Sequence, residues 1–380
     1  MRIGIDCHHL KDQKGIESYV IGLLAYFKTE ELISFILYFQ NGDKKIKKIP
    51  KSNNFLIKEI KNFLPIQSTA IFQHYLLPKQ AKKDKLNILF SPSYFLPLFY
   101  KGTTALTIHD IIYEAHPEWF NRRKIKDKFL TKWIGKKSAR KANVIFTPSK
   151  FTKDEIIKHY KINSNKIKIT AVASDNIKKT VNKKTKINFL KLKKKFEIKD
   201  NFFFFPAALF PRRCILEMVG AFKKIAEQHK NFQLLIIGKD FSGENTIEAI
   251  SSINSFLKRK AIIYIADFIE RREILALYDL AYVTVYLSLY EGFGLPVLES
   301  MTYGTPVITG NAKSLLEITN KKCFWVENPK SIDEVFEKMK LSIDDDMRYK
   351  KYVNEGLKKA KNFSWEKCAK ETLKFFNLQN

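Results

Sequence analysis

The stretch YEGFGLPVLE, Tyr290–Glu299, combines residue types that suit binding of an anionic, oxygen-rich ligand. The apolar run before it, Val283–Leu287, predicts a strand, so Glu291 is expected just beyond the carboxyl end of that strand, where α/β sheets bind ligands. Gly292 and Gly294 let the backbone turn tightly and approach a ligand without interference from a Cβ atom. The stretch therefore predicts a ligand-binding turn.

A helix is predicted to follow this turn, from Leu295 to Tyr303, with Pro296 in the first helical turn, where a missing N–H costs nothing. The N-terminal amides of such a helix carry partial positive charge and favour phosphate. Glu299 is expected about one turn inside, where its carboxylate could accept hydrogen bonds from sugar or ribose hydroxyls. Taken alone, Glu299 is explained more simply by its interaction with the helix dipole, worth about 0.3–1 kcal/mol.

Two arginines and a histidine follow other predicted strands. Arg212 and Arg213 come after Phe202–Pro206 and could grip a phosphate in bidentate fashion. The alternative is a solvated pair before a helix, but their position after a strand favours a binding role. His109 ends the run Ala105–Ile108 and could bind a sugar oxygen, although a single histidine is more often structural.

Short β-rich runs alternate with helical patterns along the whole chain, which predicts parallel sheets covered on both faces. At 380 residues the chain is long enough for two domains. The polar stretch Ser174–Asn188 is the best candidate for a linker. We therefore expect two doubly wound α/β units in tandem, with the ligand in a cleft between them. The predicted strands are Arg2–Asp6, Ser34–Phe39, Leu86–Phe90, Ala105–Ile108, Asn143–Thr147, Ile167–Val172, Phe202–Pro206, Gln233–Ile237, Ala261–Ile265, Val283–Leu287 and Pro306–Thr309.

The bulk composition limits the compartment and the partners. The chain carries 68 Lys and Arg against 39 Asp and Glu, a net charge of +29, which attracts polyanions. Because Lys is abundant together with Ile, Asn and Phe, codon bias explains the positive charge equally well. No nucleic-acid-binding motif is present. Four scattered cysteines fit reduced, mostly buried thiols. With neither a signal peptide nor a long apolar run, the expected location is the cytoplasm.

The run SLYEGFGLPVLESMTYGTPVITGNAKSLLE, Ser288–Glu317, resembles the donor-site signature of retaining glycosyltransferases of family 4, the group 1 glycosyltransferases. That family has an E-x7-E pattern, matched here by Glu291 and Glu299. The resemblance extends over most of the chain at corresponding intervals. PRRCILEMVGAF resembles the donor-phosphate motif of the mannosyltransferase-like subgroup. Further matches are IGIDCHHL with GIESY, Thr107–Phe120, Ala142–Ile156 and the terminal helix Phe363–Leu373.

The resemblance implies a GT-B fold, with two Rossmann-like domains, a cleft between them and a C-terminal crossover helix. Residues 1–180 would bind the acceptor, residues 181–362 the nucleotide sugar, and residues 363–380 would pack back on the first domain. The residues that it implies are His109, Arg212, Arg213 and Glu291 for catalysis, and Gly15, Gly292, Phe293, Gly294, Leu295 and Glu299 for donor binding.

The same resemblance implies a nucleoside diphosphate as leaving group and no metal. Arg212 and Arg213 would stabilise the charge that develops in the transition state. No motif places a carboxylate as nucleophile, so front-face attack is the expected route to retention. The run Asp344–Asp346 satisfies a D-x-D pattern, but it precedes a helical stretch and is interpreted as a helix cap.

Several loop residues depart from the family pattern. Glu17 and Ser18 replace a glycine and an arginine of the glycine loop, and Glu17 brings negative charge close to the expected diphosphate. The other departures are His8, Ala173, Ala207, Cys214 and Leu287. Because these changes fall on loops, they bear on acceptor specificity or activity more than on fold.

The expected reaction is transfer of a hexose, with mannose as first choice, in surface polysaccharide assembly. The partners implied are GDP-mannose or a UDP-hexose, a glycan or lipid-linked acceptor, and no nucleic acid. The basic segment Arg122–Arg140 places Ile125, Phe129, Trp133 and Ile134 near helical spacing, which suits either an anionic membrane surface or an ordinary buried helix face. Other classes stay open: an inactive nucleotide-sugar-binding homologue or partner subunit, an epimerase or hydrolase, and a nucleic-acid-binding protein.

Overall fold

The computed structural model describes residues 1–11, 14–61, 69–119, 125–174, 189–199, 201–267 and 269–377. The chain folds into two units, each with a sheet of its own. The first unit is Met1–Ala173 together with Phe363–Asn380, and the second is Ser174–Asn362. Most of the predicted linker, residues 175–188, lies outside the described residues.

The first unit contains a seven-stranded parallel sheet in the order β3-β2-β1-β4-β5-β6-β7. Most of its strands are continuous runs of buried apolar residues, as expected when helices cover both faces. The exceptions are the two edge strands, β7 and β3, which carry exposed side chains, and β3 was not predicted from the sequence. The strands are Arg2–Asp6 (β1), Ser34–Gln40 (β2), Phe55–Ile60 (β3), Ile88–Ser91 (β4), Thr104–Thr107 (β5), Val144–Thr147 (β6) and Ile167–Ile169 (β7).

Helices of several kinds surround this sheet, and the last of them comes from the end of the chain. Gly22 in the first long helix lies directly against the ring of Trp365 in the terminal helix. The α-helices are Lys14–Phe27, Thr69–Ile71, Leu77–Lys83, Ile112–Ala115, Ile125–Lys141, Lys150–Tyr160 and Trp365–Asn377. A π-helical segment spans Phe72–Leu76, and the 3-10 helices are His8–Lys11, Lys44–Lys48, Pro117–Trp119 and Ser164–Lys166.

The second unit contains a six-stranded parallel sheet in the order β10-β9-β8-β11-β12-β13. Its central strand β8 reads NFFFF, and all four of its phenylalanines are buried. The short strand β13 was not predicted. The strands are Asn201–Phe205 (β8), Phe232–Ile237 (β9), Ile262–Ile265 (β10), Val283–Tyr286 (β11), Val307–Thr309 (β12) and Phe324–Trp325 (β13).

The helices of the second unit alternate with its strands. The predicted helix after the glycine turn is confirmed from Leu295 to Tyr303. The α-helices are Phe189–Lys195, Ile215–Gln228, Thr246–Phe256, Arg271–Leu280, Leu295–Tyr303, Lys313–Thr319, Ile332–Asp344 and Asp346–Ala360, with a 3-10 helix at Pro211–Arg213. Among the helices that the structure describes, none combines the length and the apolar character that a membrane-spanning segment needs.

The order of each sheet reverses between two adjacent strands, and that point is where open α/β sheets bind ligands. In the first sheet the reversal lies between β1 and β4, and in the second between β8 and β11. Arg212 and Arg213 follow β8, while Glu291 follows β11. The topology thus brings these three residues to the same edge of the second sheet.

Candidate functional site

The turn before the helix Leu295–Tyr303 requires glycine at position 294. Gly294 is the N-cap residue of that helix and has φ +113°, in the region that side chains disfavour. A Cβ atom there would also lie 2.3 Å from Cδ2 of the buried Leu315. Conformation and packing therefore both fix the backbone path of this turn. As a result the helix begins at Leu295, close in sequence to Glu291.

The Glu291 carboxylate is the centre of a buried hydrogen-bond network. Its Oε1 accepts from Arg213 Nε at 3.2 Å, from the Tyr286 hydroxyl at 2.9 Å and from Ser288 Oγ at 3.0 Å. Arg212 Nε lies 3.7 Å away. Burial alone would raise the pKa of Glu291, but the charges of the two arginines and these hydrogen bonds outweigh it and lower the pKa. Glu291 is therefore ionised at neutral pH.

Arg213 is a buried cation, so the alternative of a solvated arginine pair is wrong. Its side chain is only 10% exposed, and its Nη1 donates to the carbonyl oxygen of Ala208. The following residue, Cys214, has φ +50° and starts the helix Ile215–Gln228. Burial would lower the pKa of the guanidinium, but Tyr286 and Glu291 raise it above the ordinary arginine value. The Arg213 guanidinium is therefore occupied by its contacts with Glu291 and Ala208.

Arg212 makes a different set of contacts. Its Nε donates to the carbonyl oxygen of Tyr290 at 3.2 Å, and its own carbonyl accepts from the N–H of Leu289 at 2.9 Å. Its guanidinium lies 4.7 Å from the ring centre of Phe210, a cation–π contact. These contacts tie the segment after β8 to the segment after β11, 78 positions away in sequence.

Glu299 is buried in the helix that follows the glycine turn, and its Oε1 accepts a hydrogen bond from Nη2 of Arg271. Interaction with the helix dipole alone therefore does not describe Glu299, because its carboxylate has a specific cationic partner. Arg271 begins the neighbouring helix, Arg271–Leu280.

His109 lies in the first unit, just after β5, and is partly buried. Its Nε2 is 3.0 Å from the carbonyl oxygen of Pro92, which follows β4. Burial lowers the pKa of His109 to about 4, and the hydrogen bond to Pro92 only partly offsets this. The ring is therefore neutral at pH 7. Because a carbonyl oxygen can only accept, Nε2 carries the proton and Nδ1 carries the lone pair.

The first turn of the helix Lys14–Phe27 contains Gly15 and Glu17. Gly15 has open space around it, since a Cβ atom there would meet nothing within 4 Å. The Glu17 carboxylate pairs with Lys45 and Lys48 of a neighbouring 3-10 helix. Burial would raise the pKa of Glu17, but these hydrogen bonds lower it. The negative charge expected to repel a diphosphate is therefore already paired with two lysines.

Four residues that contact the site were not singled out from the sequence: Arg271, Tyr286, Ser288 and Ser314. Tyr286 ends β11 and Ser288 follows it, so their position at a strand end was the available signal. Ser314 Oγ donates to the carbonyl oxygen of Glu291 at 2.6 Å, a contact with no local signature.

The predicted site residues fall into two groups. His109 and Gly15 belong to the first unit, while the remaining residues belong to the second. The structure brings Arg212, Arg213 and Glu291 into contact, with the glycine turn following directly. The residues of the second group are Arg212, Arg213, Glu291, Gly292, Phe293, Gly294, Leu295 and Glu299.

Two other features bear on whether a competing site exists. A groove of about 860 Å³ lies at the amino ends of the strands of the first sheet, where Arg2, Asn54 and Asn87 line it. None of the predicted site residues is among its lining residues.

Within the described part of the chain, no cluster of three or more His, Cys, Asp or Glu side chains has a geometry that could hold a metal ion. The predicted cap is confirmed, because Asp345 accepts from the N–H of Arg348 at 2.9 Å.

Known proteins are similar in sequence to this chain, both over the second unit and over the whole length. Residues 186–359 match the model of glycosyl transferases group 1. The chain is 26% identical over 379 residues to O-antigen chain mannosyltransferase B of Escherichia coli, covering 96% of both chains. It is also 26% identical over 260 residues to O-antigen chain mannosyltransferase RfbU of Salmonella typhimurium, covering 68% of this chain and 66% of that protein.

A solved structure shares the fold. The glycosyltransferase from Rickettsia africae superposes with a TM-score of 0.72 at 16% identity, covering 100% of this chain and 98% of that one. The predicted α/β GT-B fold class, with two Rossmann-like parallel sheets, is confirmed.

Proposed function

We propose that this chain, whose residues 186–359 match the model of glycosyl transferases group 1, is a glycosyltransferase that transfers mannose from GDP-mannose, with retention and without a metal, to a growing surface polysaccharide. The proposal of mannose rests on the relatives, which are O-antigen mannosyltransferases, and on the PRRC motif. A UDP-hexose is the second choice of donor. The acceptor would be a glycan or a lipid-linked glycan.

The observation that carries the proposal is the contact of Arg212 and Arg213 with Glu291 beside a helix N-terminus. Two guanidinium groups and one carboxylate leave a single net positive charge at this edge of the sheet. The helix that follows the glycine turn adds the partial positive charge of its amides. A diphosphate leaving group gains negative charge as the glycosidic bond breaks, so the same groups stabilise the transition state more than the ground state.

The contacts suggest a division of labour between the two arginines. Among the described residues, Arg212 donates a hydrogen bond only through Nε, so its two terminal nitrogens remain able to grip a phosphate. Arg213 instead holds Glu291 and a backbone carbonyl. We therefore assign the diphosphate to Arg212 and the glycine-turn amides, and assign to Arg213 the orientation of Glu291. In turn, Glu291 would bind hydroxyls of the donor sugar and Glu299 those of the ribose.

Retention would proceed by front-face attack, in which the leaving phosphate accepts the proton of the acceptor hydroxyl. Three donors already occupy Oε1 of Glu291, and its lowered pKa makes it a weak nucleophile, which fits a binding role. His109 would accept a hydrogen bond from a sugar hydroxyl through Nδ1. A glycosyl adduct trapped on any side chain would contradict this route.

Each unit is assigned one substrate. The first unit would bind the acceptor and the second the nucleotide sugar. The helix Ile125–Lys141 would bring the enzyme to an anionic membrane surface from the cytoplasmic side. In that helix Trp133 is 45% exposed, and Lys137 Nζ lies 4.0 Å above its ring. The side chains of Ile125 and Phe129, which the amphipathic pattern also included, lie outside the described residues.

The experiment that tests the function is a donor screen followed by product analysis. Thermal shift across GDP- and UDP-sugars identifies the donor, and incubation with a lipid-linked glycan in EDTA then measures transfer. We expect stabilisation by GDP-mannose and an α-linked product, with turnover unchanged in EDTA. Donor binding without transfer would favour an inactive homologue. Activity that EDTA abolishes and added metal restores would contradict metal independence.

A further inference from the structure

The pair formed by Arg271 and Glu299 joins two helices at the candidate nucleotide site. Their helices, Arg271–Leu280 and Leu295–Tyr303, pack together, with the rings of Tyr278 and Tyr303 stacked 6.4 Å apart. The Glu299 side chain is 3% exposed, whereas that of Arg271 is 40% exposed. Arg271 is therefore the more exposed partner of a buried carboxylate.

Local helix physics does not explain an arginine at position 271. It is the first residue of its helix, where the partial positive charge of the amides disfavours a cation. The buried Glu299 carboxylate, by contrast, needs a cationic partner. The next residue, Arg272, shows the ordinary alternative: its side chain is 68% exposed and its Nε pairs with Glu270 at 2.6 Å on the surface.

We propose that Arg271 is a positioning residue that presents the Glu299 carboxylate to the ribose hydroxyls of a nucleoside diphosphate. This inference rests on the proposed function, in which Glu299 binds the ribose. By holding Oε1, the arginine fixes the orientation of the carboxylate before the ligand arrives, so that less ordering occurs on binding. The planar guanidinium is suited to this task because its donors have a fixed geometry, which the flexible ammonium of lysine lacks.

The proposal predicts a specific loss of discrimination between ribose and deoxyribose. Isothermal titration would compare GDP with 2′-deoxy-GDP, and UDP with 2′-deoxy-UDP, on the wild-type chain and on Arg271→Lys. For the base that binds, we expect the wild type to prefer the ribonucleotide by about tenfold, the value of one hydrogen bond to a charged group. In Arg271→Lys the preference should fall to about threefold or less, because the deoxynucleotide, which keeps only the 3′-hydroxyl, should lose less affinity than the ribonucleotide.

Controls separate positioning from mere charge compensation. Lysine keeps the positive charge beside the buried carboxylate, so Arg271→Lys is expected to fold, as circular dichroism would check. Arg272→Gln removes a neighbouring arginine and should retain the wild-type preference. If Arg271→Lys keeps the full preference, or weakens both nucleotides equally, the positioning role is overturned. If the wild type binds no nucleoside diphosphate, the proposed function fails and this inference fails with it.

Discussion

Arg213 and Glu291 form a buried ion pair across 78 positions of sequence, with Nε and Oε1 3.2 Å apart. The pair joins the segment after β8 to the segment after β11, the two strands at which the order of the second sheet reverses. A change on either side is therefore expected to affect both stability and donor binding.

The first prediction concerns the charge of Glu291. Glu291→Gln keeps the shape of the side chain but leaves the buried Arg213 without its counter-charge. We expect the free energy of unfolding to fall by about 1–3 kcal/mol and turnover to fall at least about 100-fold. Urea denaturation and donor turnover would measure these effects. Glu355→Gln, which removes a surface partner of Lys322, should change neither quantity.

The second prediction separates the two arginines. Arg212→Lys should lower the free energy of unfolding by only about 1 kcal/mol, the value of its hydrogen bond to Tyr290, while kcat/KM for the donor falls about 10–100-fold. Arg213→Lys should instead lower the free energy of unfolding by about 1–3 kcal/mol, because its hydrogen bonds to Glu291 and Ala208 are lost in the interior. Equal stability losses in the two variants would contradict the division of labour.

The third prediction concerns the pH dependence contributed by His109. Its folded-state pKa of about 4 lies below the value of about 6.5 expected in the unfolded chain. Between these values the unfolded state binds the extra proton, so the contribution of His109 to stability is lost as the pH falls from about 6.5 to about 4. Above that range the contribution is fully present.

The measurement is the difference in unfolding free energy between the wild type and His109→Gln from pH 8 to pH 4. The difference should shrink by about 1–3 kcal/mol as the pH falls through the window. If the unfolding free energies of the two proteins change in parallel over this pH range, His109 has an ordinary pKa in the folded state. Because His109 does not titrate near pH 7, the pH profile of turnover around that value should have the same shape in the wild type and in His109→Gln.

The fourth prediction concerns the membrane surface. Trp133→Ala should weaken sedimentation with anionic vesicles at low salt by several-fold, because an exposed aromatic ring beside lysines suits the lipid interface. The matched control is Phe256→Ala in the second unit. Phe256 is 64% exposed, and Lys223 Nζ lies 4.5 Å above its ring. A similar loss in both variants would indicate non-specific attraction.

The sequence predicts the fold well wherever strands are buried on both faces. Runs such as VTVY in β11 and FQLLII in β9 are mostly apolar and fully buried, and the structure confirms strands there. The strand β3 was missed because its FLIKEI pattern belongs to a half-exposed edge. The strand β13 was missed because two residues carry no periodicity.

The candidate site is predictable only where its residues follow strands. That rule placed Arg212, Arg213 and Glu291 together, since the carboxyl ends of parallel strands share one edge. It could not find Arg271, because an ion pair between two helices has no spacing signature in the sequence. For the same reason the pairing of Glu17 with Lys45 and Lys48 emerged only from the structure.

The helix Trp365–Asn377 completes the core of the unit whose other residues are synthesised first. Phe376 is fully buried, and its ring contacts Phe90 and Phe146 of the first unit at 5.4 and 5.7 Å. The residues of the amino-terminal unit leave the ribosome before those of the second unit, yet the core of that first unit stays incomplete until Phe376 has been synthesised. Loss of the helix Trp365–Asn377 would therefore uncover the rings of Phe90 and Phe146 in the part of the chain that is made first, and would favour aggregation.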